Sequence, residues 1–431
     1  MSNNKFERKE EVYVHLSELA EITMGQSPDS SGYNTNRKGL PFLQGCAEFG
    51  RRSPTAKVYC NPPLRISKPD SILISVRAPV GTQNWGDDKY CIGRGLSAIR
   101  ARQGIADTKF LSYAILNKVD FLHRRSQGST FLAISASDLR ILPIPKFDLE
   151  SQKNISKIIQ SIDDAIEKTE VLIDKYNNIK YGMMYDLFTR GISSNGKLRE
   201  KSSEAPHLYK NTVLGMLPNE WKILDLKSVF GSGNIVNGPF GSDLLTSELK
   251  SEGVPVIYCQ DIRPGVFSKV SNAYVTLQKA AQLAFCSVRT GDIILSKVGS
   301  PPCDSCVYDS IDNAIVTQDV IRIRPSSEHN SSFFSAWFCS EFGRSAIRKI
   351  SIEGTRERVS LGDFKSLLLP IPNKDEQDRI GIKLSCIDNK INISRRYLEQ
   401  LKSKRLGLID DLLSKKVTVE KKITKSEAPH V

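Results

Sequence analysis

Long apolar runs are absent from this sequence of 431 residues, and its first sixteen residues, MSNNKFERKEEVYVHL, are mostly polar and charged. A membrane-spanning helix needs about 20 apolar residues, and a secretory leader needs a charged start followed by an apolar segment. Neither pattern is found. We therefore expect a soluble protein that is not secreted and that works in the cytoplasm.

Histidine is scarce, with five residues in the chain, and the nine cysteines form no complete ligand set. Cys303 and Cys306 have the spacing of a zinc pair, but a structural zinc site needs four ligands and no second pair accompanies them. An odd number of scattered cysteines in a large chain indicates reduced thiols. The sequence thus predicts neither a metal site nor a disulfide framework.

Motifs of DNA-modifying enzymes are present only in part. Residues 61–64, NPPL, resemble the motif with which amino-methyltransferases hold a target amine, but leucine replaces the aromatic residue that stacks on a flipped base. Residues 230–233, FGSG, lack the element order of a nucleotide-binding fold behind them. Asp243, Glu248 and Lys250 could be grouped as a nuclease set, but their stretch is typical of an exposed helix.

No P-loop and no Ser-His-Asp grouping is found either, so we predict that the chain carries no catalytic residues and is not an enzyme. A self-contained DNA methyltransferase or nuclease with fused recognition domains is the first alternative.

Positive charge is in excess, with 61 Lys+Arg against 48 Asp+Glu, a net charge of +13 and a pI near 9.2. Such a balance favours a polyanionic partner, and nucleic acid is preferred over a membrane because no amphipathic basic helix stands out. The excess is diffuse, so a non-catalytic protein scaffold is the second alternative.

The sequence repeats itself at a distance of about 225 residues. LPIP occurs at 142–145 and again at 369–372, and SIDDAI at 161–166 matches CIDNKI at 386–391. Strand-like segments precede each copy in the same order. The chain therefore uses one unit twice, a variable globular domain followed by a better-preserved segment.

The better-preserved segment has the periodicity of a coiled-coil helix, because apolar residues recur at alternating steps of four and three. The polar exceptions fall at matching places, Thr169 with Ser394 and Lys180 with Arg405. This pattern favours two long helices packed on each other and leaves their direction open. The predicted coiled-coil seam consists of Ile155, Ile159, Ile162, Ile166, Ile173 and Tyr176 in the first helix and Ile380, Leu384, Ile387, Ile391, Leu398 and Leu401 in the second.

The prolines of LPIP, Pro143 and Pro145 in the first copy and Pro370 and Pro372 in the second, predict a stiff joint between each domain and its helix. Proline has no amide donor, fixes φ and holds the preceding residue extended, so the helix can begin only after the last proline.

The globular domains are predicted to be mixed and strand-rich, each with a helix near its end, at about 108–125 and 332–350. The fold class is therefore α+β, with two tandem mixed α/β domains that are each followed by a long helix. The predicted segments are the first domain at 1–146, the first helix at 147–190, a linker at 191–217, the second domain at 218–372, the second helix at 373–416 and a tail at 417–431.

In this order and duplication, the sequence resembles the specificity (S) subunit of type I restriction-modification enzymes. The resemblance covers nearly the whole chain. It is carried by LPIP followed by ESQKNISKII, LPIP followed by DEQDRIGIKL, the helix ends GMMYDLFTRGI and LGLIDDLLSKKV, and the lead-in YKNTVLGMLPNEWKILDLKSV.

The resemblance implies two target-recognition domains joined by an antiparallel coiled coil with pseudo-twofold symmetry, each domain recognising half of a split sequence in double-stranded DNA. It also implies two methyltransferase (M) subunits and restriction (R) subunits as partners. Adenine methylation and DNA cleavage would take place in those partners, which would hold S-adenosylmethionine, ATP and Mg, with no cofactor in this chain.

Candidate DNA-binding residues lie in polar, glycine-containing loops at matching points of the two units. Arg, Asn, Gln, Ser and Thr are the side chains that bond to base edges and phosphates, and glycine lets a backbone approach them closely. Each loop could equally be an ordinary solvated turn. The candidates are Gln26, Ser27, Arg124, Arg125, Gln127, Ser129, Thr130, Asn237, Ser242, Thr355, Arg356 and Arg358.

Overall fold

The computed structural model describes residues 13–126, 133–352, 354 and 356–416. The chain divides into two compact units, one formed by residues 1–168 and 398–431 and the other by residues 169–397. Each unit therefore contains one globular domain and a part of each long helix. None of the helices in the described ranges combines the length and the apolar character that a membrane span requires.

The strands follow one another as β1 Tyr13–His15, β2 Ala20–Met24, β3 Tyr33–Asn34, β4 Leu40–Leu43, β5 Val58–Cys60, β6 Ser71–Ser75, β7 Gln83–Gly86, β8 Cys91–Ile92, β9 Leu96–Ala101, β10 Pro143–Pro145, β11 Tyr209–Thr212, β12 Gly215–Pro218, β13 Lys222–Asp225, β14 Ile235–Asn237, β15 Val254–Ile257, β16 Ile262–Arg263, β17 Val266–Phe267, β18 Tyr274–Val275, β19 Ser287–Val288, β20 Ile293–Ser296, β21 Val298–Gly299, β22 Ser305–Val307, β23 Ala314–Val316, β24 Val320–Ile323, β25 Ser351–Ile352, β26 Glu357–Val359 and β27 Leu368–Ile371. The α-helices are α1 Leu16–Leu19, α2 Thr108–Leu116, α3 Val119–Arg125, α4 Ala136–Arg140, α5 Leu149–Thr189, α6 Leu226–Phe230, α7 Leu277–Gln282, α8 Ser331–Cys339, α9 Glu341–Arg348, α10 Leu361–Lys365 and α11 Lys374–Leu413.

The first domain is built on two four-stranded sheets, with strand orders β2-β9-β6-β7 and β3-β5-β4-β8. The central strand β6, SILIS, is buried along its whole length, as expected for a strand covered on both faces. Helix α2 covers this core with Phe110, Leu111 and Ile115, which are fully buried.

The second domain repeats this plan. Its first sheet has the order β14-β24-β20-β22, and its second sheet has the order β18-β15-β23-β19. Strand β20, IILS, is buried throughout, and helix α8 covers it with Phe333, Phe334 and Trp337. In both domains the second sheet contains one parallel pair, β4 with β8 and β15 with β23, so the fold predicted from the repeat is confirmed.

The helices predicted at 108–125 and 332–350 are each two helices, so the prediction of single helices was wrong. The second break lies at Ser340, whose hydroxyl accepts a hydrogen bond from the amide of Gly343 at 3.1 Å. Serine at this position caps the new helix α9. The apolar residues continue across the break, which is why periodicity alone does not reveal it.

Each LPIP tetrapeptide contributes a short strand to a two-stranded antiparallel sheet. Strand β10 pairs with β1, placing Ile144 opposite Val14, and β27 pairs with β13, placing Leu369 opposite Leu224. Prolines are tolerated there because a two-stranded sheet leaves one edge without a ladder partner. The long helices begin soon afterwards, α5 at Leu149 and α11 at Lys374.

A buried glutamine near the start of each long helix fixes the joint. Gln152 accepts a hydrogen bond from the amide of Asp107 at 2.9 Å and donates one to the carbonyl of Phe147 at 2.9 Å. Asp107 in turn caps α2 by accepting from the amide of Phe110 at 2.8 Å. The glutamine therefore links the helix start, the joint and the domain helix α2.

Gln377 makes the equivalent bonds in the second unit. It accepts from the amide of Asn330 at 3.0 Å and donates to the carbonyl of Pro372 at 2.9 Å, while Asn330 caps α8 through the amide of Phe333. Because both glutamines are almost completely buried, both ends of each amide group need these partners.

The long helices have 41 and 40 residues, and within each unit their segments run antiparallel. In the first unit Arg405 pairs with Asp163, and Ile155 shares a core cluster with Leu413. Since the position on α11 falls as the position on α5 rises, the two segments point in opposite directions.

The second unit shows the same antiparallel relation. Lys180 pairs with Asp388, and Met184 and Leu187 share a core cluster with Ile380 and Leu384. Of the twelve predicted seam residues, Ile162, Ile166 and Tyr176 are half-buried, and the others are buried, namely Ile155, Ile159, Ile173, Ile380, Leu384, Ile387, Ile391, Leu398 and Leu401.

We expect Gln152→Ala to destabilise the first domain by about 1–3 kcal/mol, because it leaves the buried amide of Asp107 without its partner. Gln160→Ala is the matched control, since Gln160 bonds only to the Lys109 ammonium at the surface in the described part of the chain, and its effect should stay within about 0.5 kcal/mol. Hydrogen exchange of the amides at the start of α2 would measure the difference. Equal effects of the two substitutions would contradict this role for Gln152.

Candidate nucleic-acid interface

In the first domain, four loops meet at one end of the two sheets. They follow β2, β4 and β6 and connect β8 to β9. The amide of Gly93 donates to the carbonyl of Leu43 at 2.8 Å, the amide of Val76 donates to Gly95 at 2.9 Å, and the amide of Gln26 donates to Ile92 at 2.9 Å. These main-chain bonds hold the loops together without using side chains.

The second domain has the same four loops, after β14, β15 and β20 and between β23 and β24. The amide of Thr317 donates to the carbonyl of Ile257 at 3.1 Å, and the amide of Lys297 donates to Asp319 at 2.6 Å. The first of these bonds matches Gly93 with Leu43, and the second matches Val76 with Gly95. We call each group of four loops a loop cluster.

At the centre of each loop cluster is a tight turn with the same closing hydrogen bond. The amide of Leu96 donates to the carbonyl of Gly93 at 3.0 Å, and the amide of Val320 donates to that of Thr317 at 3.0 Å. The second residue of this turn is Arg94 in the first domain and Gln318 in the second domain. These two residues are therefore structurally equivalent.

A glycine in the first loop of each cluster allows close packing against this turn. A Cβ atom added to Gly25 would overlap the carbonyl oxygen of Gly93, and one added to Gly238 would overlap that of Val316. The amide of Gly238 also donates to the carbonyl of Thr317 at 3.1 Å. Only glycine lets the backbones approach this closely.

In the second domain the loop cluster surrounds an open groove of about 850 Å³. Exposed polar side chains line it, including Gln260, Ser300, Gln318 and Arg356. Exposed amide and guanidinium groups in a concave surface are suited to hydrogen bonding with a polar ligand. Arg356 supplies positive charge at this groove, and Arg77 and Arg94 are exposed at the loop cluster of the first domain.

Several sequence-predicted residues belong to the loop clusters. Ser27 donates to the Gln44 side-chain oxygen at 3.0 Å and accepts from the amide of Arg94 at 3.3 Å, while Gln26 is exposed beside it. Asn237 donates a hydrogen bond to the main-chain oxygen of Gln318 at 3.4 Å, and this bond helps to hold the turn in place.

Two other predicted residues, Ser242 and Arg358, are not among the described residues that line the groove. Ser242 is exposed but does not line the groove, unlike its neighbour Gly241. Arg358 lies on β26 opposite Val298.

Arg124 and Arg125 end helix α3. The Arg125 guanidinium lies over the Phe121 ring and 3.8 Å from Asp138. Arg125 is therefore held on its own domain. Gln127, Ser129, Thr130 and Thr355 lie outside the described residues.

The loop clusters contain four polar residues that were not predicted from the sequence: Gln44, Arg94, Gln260 and Gln318. Each follows a strand of only two to four residues, and strands this short do not show which residues of the following loops come together. The available signal was the Gly93-Arg94-Gly95 sequence, in which two glycines flank an exposed arginine.

The incomplete enzyme motifs have structural roles. Gly231 has a positive φ and ends α6, and Glu248 pairs with Lys279 at 2.8 Å instead of with Lys250. Cys303 and Cys306 are buried in different core clusters. Burial raises the pKa of the Cys303 thiol to about 12, as expected for a cysteine packed among apolar side chains.

Comparison with known proteins gives one family for both halves of the chain. Residues 9–212 and 218–403 each match the type I restriction modification DNA specificity domain. Over 184 residues the sequence is 42% identical to a protein of Methanocaldococcus jannaschii named as the specificity subunit of the type I restriction enzyme MjaX. That alignment spans 42% of this chain and 41% of the relative, so it covers less than half of the relative's length.

Two further matches extend over more of the chain. The MjaVIII specificity subunit of the same organism is 26% identical over 330 residues, which cover 75% of this chain and 73% of the relative. The crystal structure of the type I restriction-modification S subunit from M. genitalium aligns with a TM-score of 0.61 and 16% identity. It covers 96% of this chain and 99% of the other, which supports the fold of the whole chain.

Gly238→Ala should destabilise the second domain by about 1–3 kcal/mol, because the added methyl group would push the first loop away from the central turn. Gly241→Ala provides the control, since no heavy atom of the described residues other than its chain neighbours lies within 4 Å of its added Cβ. The midpoint of thermal unfolding followed by tryptophan fluorescence would report the change, as Trp221 and Trp337 are buried in this domain. Identical midpoints for the two variants would show that the loops are not closely packed.

Proposed function

The chain belongs to the type I restriction modification DNA specificity family, and on this premise we propose that it recognises a bipartite target in double-stranded DNA for partner enzymes. The observation that supports this proposal is the pair of loop clusters. They have equivalent main-chain hydrogen bonds but present different side chains, as expected if the two domains recognise different half-sites.

The exposed side chains of the loop clusters have the chemistry of base recognition. Gln and Arg form bidentate hydrogen bonds with base edges in the major groove, and Ser donates or accepts a single hydrogen bond. Gln26, Gln44 and Arg94 are exposed in the first cluster and Gln318 in the second, and the exposed Arg356 lines the groove beside Gln318. The net charge of +13 favours the approach of the DNA backbone.

We further propose that the chain acts without catalytic residues of its own, in the cytoplasm, together with two methyltransferase (M) subunits and with restriction (R) subunits. Adenine methylation and DNA cleavage would occur in these partners. S-adenosylmethionine, ATP and Mg would be bound there. The structural roles of Gly231 and Glu248 support this division, because both belong to the incomplete enzyme motifs of this chain.

The purified chain is expected to bind duplex DNA with an affinity that falls steeply as salt rises, because lysine and arginine contacts to phosphate release bound cations. Adenine methylation at a split target should appear only when this chain and a methyltransferase subunit are combined. Fluorescence anisotropy at several salt concentrations and sequencing of the methylated DNA would measure the two effects.

The methyltransferase subunit alone and this chain alone are the two controls for the methylation experiment. Methyl transfer by this chain alone would refute the proposal that catalysis resides in a partner. Methylation by the combined subunits at sites without a common split sequence would refute the proposed recognition function.

A further inference from the structure

Arg94 and Gln318 occupy the most comparable positions of the two loop clusters. Each is the second residue of a turn closed by a 3.0 Å main-chain bond, and each turn follows a strand that is parallel to its neighbour, β8 beside β4 and β23 beside β15. Both side chains are exposed. Within the described ranges, neither side chain has a hydrogen bond or an ion pair.

The main chain of each turn is held by hydrogen bonds to two neighbouring loops. The first residue of the turn, Gly93 or Thr317, donates to the last residue of β4 or β15. The third residue of the turn accepts from the loop after β6 or β20, as Gly95 does from Val76 and Asp319 does from Lys297. A rigid backbone that carries an unpaired polar side chain suits specific recognition, because binding then costs the rotamer freedom of that side chain but little freedom of the backbone.

We propose that Arg94 and Gln318 are equivalent base-recognising residues. On this assignment the half-site bound by the first domain contains a guanine at the position where the half-site bound by the second domain contains an adenine. The inference rests on the proposed DNA-recognition function and makes it specific for one base pair in each half-site.

The assignment of bases follows from the donors and acceptors of the two side chains. The Arg94 guanidinium offers two parallel N–H donors, which match the O6 and N7 acceptors of guanine. The Gln318 amide offers one donor and one acceptor, which match N7 and the N6 amino group of adenine. A wrong base leaves at least one of these groups without a partner.

An arginine could instead contact a phosphate, which carries no sequence information. The position of Arg94 argues against this, because its turn is the central one of the cluster and its equivalent is an uncharged glutamine. In the second domain Arg356, which lines the same groove as Gln318, can provide a phosphate contact. The two possibilities differ in the outcome of substitution.

The test exchanges the two residues. Arg94→Gln, Gln318→Arg and the double variant would each be produced as the full chain together with the methyltransferase subunit of the same source, in cells without other adenine methylation. Sequencing of methylated DNA would give the target of each variant. Arg94→Gln should change one guanine of one half-site to adenine, and Gln318→Arg should change one adenine of the other half-site to guanine.

Two control variants carry the same chemical changes outside the loop clusters. Arg140→Gln removes an exposed arginine of α4, and Gln400→Arg adds an arginine on an exposed position of α11. Both should leave the target sequence unchanged. An unchanged target for Arg94→Gln and Gln318→Arg, with a split target for the wild type, would overturn this inference alone. If the wild type itself gave no split target, the proposed function would fail.

A binding measurement covers the case in which an exchange variant modifies no DNA. Arg94→Ala would be compared with the wild type on four duplexes that differ only at the assigned guanine, and its melting temperature would be checked against the wild type. The wild type should prefer guanine by roughly 10-fold to 100-fold, and Arg94→Ala should bind all four duplexes alike. A preference for guanine that Arg94→Ala retains would overturn the assignment. A uniform loss of affinity in Arg94→Ala, on duplexes that the wild type does not distinguish, would also overturn it and would indicate a phosphate contact.

Discussion

One buried amide side chain in each unit determines how a globular domain is joined to its long helix. Gln152 and Gln377 accept a main-chain bond from the capping residue of a domain helix and donate one to the joint that precedes their own helix. The capping residues Asp107 and Asn330 are of different types, yet the side chain of each accepts a hydrogen bond from the main-chain amide three residues later. A glutamine suits this role because a single planar group presents a donor and an acceptor, and burial makes the loss of either bond costly.

The conformation of the joint and the conformation of the loop clusters are fixed by different interactions. At the joint, side chains such as Ile144 and Leu369 are fully buried, so the sequence there is restricted by packing. In the loop clusters, main-chain bonds such as those of Gly93 and Thr317 provide the framework, and these do not depend on the exposed side chains. The exposed residues that we propose to contact DNA can therefore change without a change in the loop conformation, provided that Gly25 and Gly238 still allow the close approach of the backbones.

The long helices, the joints and the repeated domain plan could be predicted from the sequence, because helical periodicity and paired prolines are local signals that occur twice. The loop clusters could not be assembled in this way. Their turns follow strands as short as Cys91–Ile92, and their neighbours are set by parallel pairing with β4 and β15 across many residues. Gln26 and Ser27 were identified because they follow Gly25 in a polar loop, whereas Arg94 and Gln318 were missed.

The sequence also encodes the direction of the two long helices, through charged residues that occupy equivalent positions in the two copies of the repeat. The repeat matches Asp163 with Asp388 and Lys180 with Arg405. In a parallel arrangement in register, each residue would face its own counterpart, so two acids would meet and two bases would meet. In the antiparallel segments of each unit, an acid from one copy meets a base from the other, Asp163 with Arg405 and Lys180 with Asp388.

All four of these side chains are at least two-thirds buried, so like charges would be poorly screened there, and the parallel alternative is disfavoured by repulsion as well as by the loss of attraction. Asp163 also accepts a hydrogen bond from the Tyr113 hydroxyl at 2.8 Å, which connects the ion pair to helix α2 of the domain. Asp163 thus contributes to the antiparallel direction of the helices and also ties the helix pair to the domain within its unit.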